Sequence, residues 1–249
     1  MLEGLRDRLA SMALFCDFDG TLSPIVADPA AARPALGAVA VLATLAARCP
    51  VVAVVTGRPA AFVGDVFPAP IRIAASYGLQ QRVDGVWLEA AEASHWRPVV
   101  GAAAAEAARA LANPVVVEAK GLSLTLHFRG APHLQREVEA WAQAAAVRFG
   151  LDARRAKRSI ELHPPVGIDK GSVVQRWATG ADTVVYVGDD HGDLAAFETL
   201  ARLRHSGLLT AAIAVGGDET PAELTALADV VLAGPDQVVA YLVSLAAAS

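Results

Sequence analysis

The chain has 249 residues, of which 54% are hydrophobic and 19% charged, and its formal net charge at pH 7 is −5. This composition provides for a substantial apolar core and excludes an intrinsically disordered protein; the lack of a basic tract argues against nucleic-acid binding. The chain does not start like a signal peptide, and every apolar run of membrane-spanning length is interrupted by charges, Pro or Gly. We therefore expect a cytoplasmic protein that does not bind membranes.

The first part of the chain alternates predicted strands with predicted helices. Residues 13–18 form a short apolar run that ends in acidic residues, which is typical of a buried strand leading into a loop. Residues 34–48 have a helical pattern, and residues 51–55 are a β-branched apolar run that predicts a second buried strand. The elements expected next are a short helix up to residue 67, a strand at 71–75 and a hairpin at 83–88 around Asp84-Gly85.

The middle of the chain has a different pattern, with helix, strand and strand occurring twice in succession. Residues 99–111 and 134–149 predict helices, and residues 122–128 alternate between apolar and polar side chains, as in a strand with one buried face. Further strands are expected at 115–117, 152–156 and 159–163. We infer an antiparallel α+β module inserted into the rest of the chain, with boundaries near residues 98 and 166.

The alternation of strand and helix returns in the last part of the chain. Strands are expected at 183–187, 211–215 and 230–232, and helices at 193–201, 221–228 and 235–247. Such alternation implies a parallel sheet covered by helices on both faces. The prediction is an α/β fold: a doubly wound, Rossmann-like parallel-sheet core formed by residues 1–98 and 166–249, with an α+β cap formed by residues 99–165.

The strongest chemical signal is the segment Asp17-Phe18-Asp19-Gly20-Thr21, directly after the first predicted strand. Ligand sites of open α/β sheets form at the carboxyl ends of their strands. A carboxylate at that place can act as a nucleophile and form an acyl phosphate. A second carboxylate nearby can protonate the leaving oxygen and then activate water. We therefore expect Asp17 and Asp19 to be catalytic.

Two further segments contain groups suited to binding a phosphoryl group. Thr56-Gly57-Arg58 follows the second predicted strand, where the Thr56 hydroxyl can donate to a phosphoryl oxygen. Lys170 precedes a predicted helix, and its ammonium group can neutralise charge on both the phosphoryl group and the nucleophile. The sequence thus predicts phosphate binding by Thr56, Gly57 and Arg58, and a catalytic role for Lys170.

A cluster of acidic residues follows the predicted strand at 183–187, in the segment Gly188-Asp189-Asp190-His191-Gly192-Asp193. Mg²⁺ prefers one or two carboxylates together with water and substrate phosphate. The helix dipole accounts for an acid at the position of Asp193, but it does not account for Asp189 and Asp190 at the end of a buried strand. We therefore expect Mg²⁺ as a cofactor.

The order of these segments along the chain resembles that of the haloacid dehalogenase superfamily. The resemblance implies that Asp17 is the nucleophile, that Asp19 is the general acid and base, and that Thr56 and Lys170 hold the phosphoryl group. It also implies that Mg²⁺ is bound by Asp17, the backbone carbonyl of Asp19 and Asp189, with help from Asp190 or Asp193. The α+β insertion resembles the cap of this superfamily.

A narrower resemblance is to the trehalose-6-phosphate phosphatase family. It implies a phosphoric monoester hydrolase of trehalose biosynthesis that acts on a small sugar phosphate. The segments that resemble this family are Ser23-Pro24-Ile25, Thr56-Gly57-Arg58, Tyr77-Gly78-Leu79, residues 117–124, His127-Phe128-Arg129, Glu161-Leu162-His163-Pro164, Asp169-Lys170-Gly171 and Gly188-Asp189-Asp190.

Within the predicted cap, charged side chains recur two residues apart on strands, so the members of each pair share one face of the sheet. Side chains arranged in this way can hold several sugar hydroxyls by charge-assisted hydrogen bonds. The substrate-binding residues that the family resemblance implies are Glu118, Lys120, His127, Arg129, Glu161 and His163.

The chain departs from the family pattern at a few positions. His163 stands where the family commonly has Arg, Tyr77 where it has His, and Gly192-Asp193-Leu194-Ala195 where it has Thr-Asp-Glu-Asp. Phosphatases of other glycosyl phosphates, of the mannosylglycerate or sucrose type, therefore stay open, as does a phosphosugar mutase. A signalling receiver domain is disfavoured because the nucleophile candidate follows the first strand, and intact Asp17 and Asp19 disfavour a non-catalytic binding protein.

Overall fold

The computed structural model describes residues 2–26, 28–111, 113–156, 158–217 and 220–247. By its internal contacts the chain falls into two units. The first unit is formed by Met1–Leu88 and Ile168–Ser249, and the second by Glu89–Gly167. The predicted cap, residues 99–165, lies within the range of the second unit.

The first unit is built on one eight-stranded sheet with the order β12-β11-β10-β1-β2-β3-β4-β5. The six strands from β12 to β3 are parallel, and β4 is antiparallel to β3. This confirms the predicted α/β parallel-sheet fold. The strands are β1 (Met12–Cys16), β2 (Val51–Val55), β3 (Arg72–Ala75), β4 (Gln80–Val83), β5 (Val86–Glu89), β10 (Thr183–Gly188), β11 (Leu209–Val215) and β12 (Val230–Leu232).

Helices cover both faces of this sheet, as the continuous apolar runs of its central strands require. Alternate side chains of β1 enter two different cores: Leu14 packs on one face and Phe15 on the other. The helices of the first unit are α1 (Ala38–Ala46), α2 (Ala60–Val63), α5 (Lys170–Trp177), α6 (Leu194–His205), α7 (Ala222–Leu227) and α8 (Pro235–Ala246). Among the described residues, we find no helix long and apolar enough to cross a membrane.

The second unit is a four-stranded antiparallel sheet with the order β6-β7-β9-β8 and two helices. Apolar side chains of its central strands, such as Leu126 and Leu162, form a core with the helices, while the alternate positions carry polar side chains. Its elements are α3 (Ala93–Ala110), β6 (Val116–Ala119), β7 (Leu124–His127), α4 (Gln135–Phe149), β8 (Asp152–Ala156) and β9 (Ser159–His163).

Two helices begin at residues other than those predicted. α1 begins at Ala38 rather than near Pro34, because Gly37 has a left-handed backbone (φ 86°) that interrupts the helical pattern. α3 begins at Ala93 and continues through Pro98, which the sequence pattern placed before the helix. A proline inside a helix removes one hydrogen bond and crowds the preceding turn; here Trp96, before it, packs against the core of the second unit.

The predicted hairpin around Asp84-Gly85 is confirmed as the turn between β4 and β5. Asp84 (φ 50°) and Gly85 (φ 80°) both have left-handed backbones, as a tight two-residue hairpin turn requires.

Burial on both faces makes the central strands sensitive to truncation of their side chains. Phe15 is fully buried on β1, so we expect Phe15→Ala to lower the free energy of unfolding by about 3–5 kcal/mol. Urea unfolding followed by circular dichroism measures this change. The control is Leu36→Ala, since Leu36 is 97% exposed, and it should leave the midpoint almost unchanged; equal losses for both variants would contradict the assigned core.

Candidate functional site

The candidate site lies at the carboxyl ends of three neighbouring strands in the first unit. β1 is paired with β10 on one side and with β2 on the other. Asp17 directly follows β1, Thr56 follows β2 and Asp189 follows β10. The chain proceeds from β1 to β2 on one side and returns to β10 on the other, so this is a topological switch point, where ligands bind in open α/β sheets.

Asp17 is buried and in direct contact with a cation. Its backbone N–H donates to the carbonyl of Val187 (2.9 Å), and its Oδ1 lies 2.8 Å from Nζ of Lys170. Burial raises the pKa of Asp17 well above its usual range; Lys170 opposes that rise, while the neighbouring acids Asp193, Asp189 and Asp190 add to it. The negative charge at this place therefore exceeds what a single lysine offsets.

Lys170 is positioned by the start of α5. The side chain of Asp169 accepts a hydrogen bond from the backbone of Ser172 (2.7 Å), and the Ser172 side chain bonds back to the backbone N–H of Asp169, which forms a capping box. Lys170, the first residue of the helix, is only 2% exposed. The capping box at the start of α5 thus positions a buried ammonium group beside Asp17.

Asp193 has all its hydrogen-bonding capacity occupied by protein donors. Its Oδ1 accepts from Nζ of Lys170 (2.7 Å) and from the hydroxyl of Tyr186 (2.6 Å), and its Oδ2 accepts from the backbone N–H groups of Asp189 (2.8 Å) and Asp190 (3.1 Å). Burial acts to raise the pKa of Asp193, but Lys170 and these hydrogen bonds outweigh it and lower the pKa. Asp193 is therefore an ionised anchor for the loop and for Lys170.

The acidic residues at this place fit a hard divalent cation. Carboxylate oxygens of Asp17, Asp189 and Asp193 lie within 4.8 Å of one another, and all three residues are buried. Since Asp193 is saturated by protein donors and Asp190 accepts from the backbone N–H of Gly192 (2.8 Å), the side chains best placed to hold a metal are those of Asp17 and Asp189. Buried carboxylates with insufficient positive charge around them are ligands that suit Mg²⁺.

Asp189 packs directly against the backbone of Gly20. A Cβ atom at position 20 would lie 2.0 Å from Oδ2 of Asp189, and Gly20 has φ +79°. Oδ1 of Asp189 also accepts a hydrogen bond from the hydroxyl of Thr21 (3.4 Å). The small residue after Asp19 thus lets the loop after β1 approach the acid after β10.

The side chain of Arg58 forms an ion pair with Asp19. Nε of Arg58 donates to Oδ2 of Asp19 and Nη2 donates to Oδ1, each at 2.7 Å. Thr56 is buried, and its Oγ1 accepts from the backbone N–H of Arg58 (3.1 Å). Of the three residues predicted to bind phosphate, Thr56 and Gly57 lie at the end of β2, whereas the guanidinium of Arg58 is engaged by a carboxylate.

Four of the residues predicted to bind the sugar lie in two contacts on the polar strands of the second unit. Nε2 of His127 lies 2.7 Å from Oε2 of Glu118, and Nζ of Lys120 lies 3.4 Å from Oε1 of Glu161. The hydroxyl of Ser123 donates to the same Glu161 oxygen at 2.5 Å. Each of these polar side chains is thus held by a neighbour on the same sheet.

The other two predicted sugar-binding residues lie differently. Arg129 follows β7 and is half-buried. His163 is fully buried at the end of β9, and its Nδ1–H donates to the carbonyl of Pro164 (2.8 Å). Burial lowers the pKa of His163, and the nearby Arg154 lowers it further, so its imidazole is neutral near pH 7.

Three polar residues that were not among the predicted site residues contact them. Tyr186 bonds to Asp193, Ser123 bonds to Glu161, and the ring of Tyr77 lies 2.7 to 3.0 Å from the place that a Cβ on Gly57 would occupy. Ser123 was detectable because it alternates with Thr125 on the polar face of its strand. Tyr186 lies inside an apolar run, where only its hydroxyl distinguishes it.

Comparison with solved structures identifies the class of fold. The C-terminal domain of the Candida albicans trehalose-6-phosphate phosphatase superposes with a TM-score of 0.82 at 22% identity, covering 100% of this chain and 97% of that domain. A haloacid dehalogenase-like hydrolase from Bacteroides thetaiotaomicron superposes with a TM-score of 0.63 at 14% identity, covering 94% of this chain and 99% of that one. These superpositions show that the chain has the fold of the haloacid dehalogenase-like hydrolases.

Sequence comparison identifies the family. The trehalose-phosphatase family model matches residues 15–229. The trehalose-phosphate phosphatase of Mycobacterium avium is 40% identical over 213 residues, which cover 80% of this chain and 54% of that protein. The chain belongs to the trehalose-phosphatase family, and it spans about half the length of the curated relatives it matches.

The contact between Gly20 and Asp189 predicts a specific effect on metal binding. We expect Gly20→Ala to displace Asp189 and to weaken Mg²⁺ binding about 10- to 100-fold, the range typical of changes around metal ligands. Isothermal titration of the metal-free protein with Mg²⁺ measures it. Gly85→Ala is a matched control, because Gly85 has φ +80° but open space around a Cβ. An equal loss of Mg²⁺ affinity in both variants would show that backbone strain, and not the contact with Asp189, is responsible.

Proposed function

We propose that this protein is a Mg²⁺-dependent phosphatase that hydrolyses trehalose 6-phosphate to trehalose and phosphate through an aspartyl phosphate on Asp17. Membership of the trehalose-phosphatase family supports the substrate. The observation that carries the chemistry is the buried Asp17 carboxylate, 2.8 Å from Lys170 and beside Asp189 at the switch point of the sheet.

In the first step, an oxygen of Asp17 attacks phosphorus and the bond to the sugar oxygen breaks. The Thr56 hydroxyl, the backbone around Gly57 and Nζ of Lys170 hold the phosphoryl oxygens and offset their charge. Asp19 donates a proton to the departing sugar oxygen, which leaves as a hydroxyl of trehalose. The product on the enzyme is an acyl phosphate on Asp17.

In the second step, a water oxygen attacks the phosphorus of the aspartyl phosphate. Asp19, now a carboxylate, takes the proton from this water, the bond between phosphorus and the Asp17 oxygen breaks, and its electron pair returns to the Asp17 carboxylate. Lys170, which contacts Asp17 and Asp193, stabilises the carboxylate that is released. Phosphate leaves, and the enzyme returns to its starting state, with Asp17 as a carboxylate and Asp19 as a carboxylic acid.

Mg²⁺ would be held by Asp17, Asp189 and the backbone carbonyl of Asp19, and it would supply the positive charge that the phosphoryl oxygens and the buried acids need. Asp193 stabilises this arrangement without binding the metal, because it accepts hydrogen bonds from Lys170 and from the backbone of Asp189.

We assign recognition of the sugar to the polar strands of the second unit. Lys120 and Glu161 form an ion pair there, and Glu118 lies against His127. Charged groups such as these carboxylates make the stronger hydrogen bonds to sugar hydroxyls. Arg129 and His163 complete the set that the family resemblance implies. Of these two, the buried and neutral His163 is suited to support neighbouring residues rather than to present a charge.

Release of phosphate from a panel of substrates tests the proposed function. With Mg²⁺ we expect turnover of trehalose 6-phosphate to exceed that of sucrose 6-phosphate, glucose 6-phosphate, mannosylglycerate phosphate and p-nitrophenyl phosphate, and we expect none when Mg²⁺ is removed. Asp17→Asn should abolish turnover of every substrate, because the amide is not a nucleophile.

The matched control for this substitution is Asp84→Asn, which makes the same chemical change at the exposed turn between β4 and β5 and should keep full activity. An active Asp17→Asn protein would refute the nucleophile assignment. A preference for another member of the panel would keep the chemistry but replace the substrate, and bisphosphate formation in place of phosphate release would indicate a mutase.

Assignment of the sugar to the second unit predicts a substrate-dependent effect of Glu118→Gln. We expect the KM for trehalose 6-phosphate to rise about tenfold or more, since a hydrogen bond to a charged group contributes about 1.5–3 kcal/mol. The KM for p-nitrophenyl phosphate, which has no sugar, should not change. The control is Glu137→Gln at an exposed position of α4, and an equal effect of Glu118→Gln on both substrates would refute the contact with sugar.

A further inference from the structure

Arg58 forms a bidentate ion pair with Asp19. Its Nε and Nη2 atoms each lie 2.7 Å from a different oxygen of the Asp19 carboxylate. Pairs of this geometry fix the orientation of the carboxylate as well as its distance, and they are among the stronger side-chain interactions. The plane of the Asp19 carboxylate is therefore set by Arg58.

Arg58 is itself held from other sides. Its Nη1 donates to the backbone carbonyl of Pro29 (2.8 Å), and its guanidinium carbon lies 4.3 Å from the centre of the Phe62 ring, within the range of a cation–π contact. Only 7% of Arg58 is exposed. The guanidinium is thus a rigid support rather than a mobile surface cation.

The pairing of Asp19 with Arg58 suits the second step of the reaction, the hydrolysis of the aspartyl phosphate. With both Asp19 oxygens accepting N–H groups, the side chain has the hydrogen-bonding pattern of a carboxylate, which only accepts, and not that of a carboxylic acid, which also donates. A carboxylate has about four lone-pair positions, so two remain to accept a proton from water. The form that Arg58 holds is the one that activates water in the second step.

We propose that Arg58 is a positioning residue that holds Asp19 for hydrolysis of the aspartyl phosphate, and that it does not bind the substrate phosphate. The proposal rests on the function proposed above. In the step concerned, water attacks phosphorus, its proton passes to Asp19, the bond from phosphorus to Asp17 breaks and phosphate leaves. Arg58 keeps its own proton and makes no bond to the reacting atoms.

Rapid-mixing kinetics with p-nitrophenyl phosphate and Mg²⁺ separate the two steps. p-Nitrophenolate is a good leaving group that needs little help from an acid, so phosphorylation of Asp17 stays fast when Asp19 is disturbed. For Arg58→Met we expect a burst of p-nitrophenolate close to one per enzyme, followed by turnover reduced about 10²-fold, within the range of a lost general base. Acid-quenched protein should carry one phosphoryl group by mass spectrometry.

A double-substitution comparison tests whether Arg58 acts through Asp19. Asp19→Asn should give the same burst and the same trapped phosphoryl group, and the double variant should be no slower than Asp19→Asn alone, because residues that act as a unit are not additive. Arg58→Lys should recover little of the turnover lost in Arg58→Met, since lysine is a point charge and cannot make the bidentate pair. Arg33→Met, which removes a guanidinium that bonds to Ala30 and Ala32 near Pro29, is the control and should behave as wild type.

Other outcomes would overturn the proposal. Arg58 binds phosphate if Arg58→Met abolishes the burst and raises the KM, and if the double variant loses turnover by the product of the two single losses. If Arg58→Met does not fold, the same burst measurement on Arg58→Lys decides between the two roles. If the wild-type protein and Asp19→Asn form no phosphoryl enzyme at all, it is the proposed function that fails, and Arg58 is not the cause.

Discussion

The first unit is organised around negative charge that is buried at the switch point of its sheet. Burying a carboxylate costs several kcal/mol unless it is paired, and Asp17, Asp189 and Asp193 bring carboxylate oxygens within 4.8 Å of one another. Lys170 contacts two of these acids, and four protein donors saturate Asp193. What remains is uncompensated negative charge at Asp17 and Asp189, which favours a divalent cation there; that cation would in turn attract a phosphoryl group.

The local structure that positions these buried acids is encoded in short segments. β-Branched and apolar runs form parallel strands that end at the same edge of the sheet, which brings residues after β1, β2 and β10 together although they are far apart in sequence. Caps at Asp169 and Asp190 then fix the starts of the helical turns that follow. The first residue of α5, Lys170, is consequently buried beside Asp17, where a lysine on its own would favour the surface.

Much of the fold could be predicted because strand-length apolar runs and turn residues are local signals. The strands on either side of the site and the Asp84-Gly85 turn are of this kind, whereas the starts of α1 and α3 depend on the backbone of Gly37 and on the packing of Trp96. For the site, motif spacing indicated the acids and Lys170. It did not indicate the partner of Arg58, since the ion pair with Asp19 joins residues 39 positions apart and depends on how two loops meet.

The departures from the family pattern can be understood from the same contacts. Asp17, Lys170, Asp189 and Asp193 each have several partners, so a change in any of them leaves a buried charge without compensation. Two of the altered positions carry no buried charge of this kind: Tyr77 packs on Gly57 through its ring, and His163 is a neutral side chain in the second unit. Because the two units have separate hydrophobic cores, a substitution on the polar strands of the second unit leaves the packing around the buried charges of the first unit unchanged. In the function proposed above, the first unit therefore carries the phosphoryl chemistry, and the second unit carries the choice of sugar.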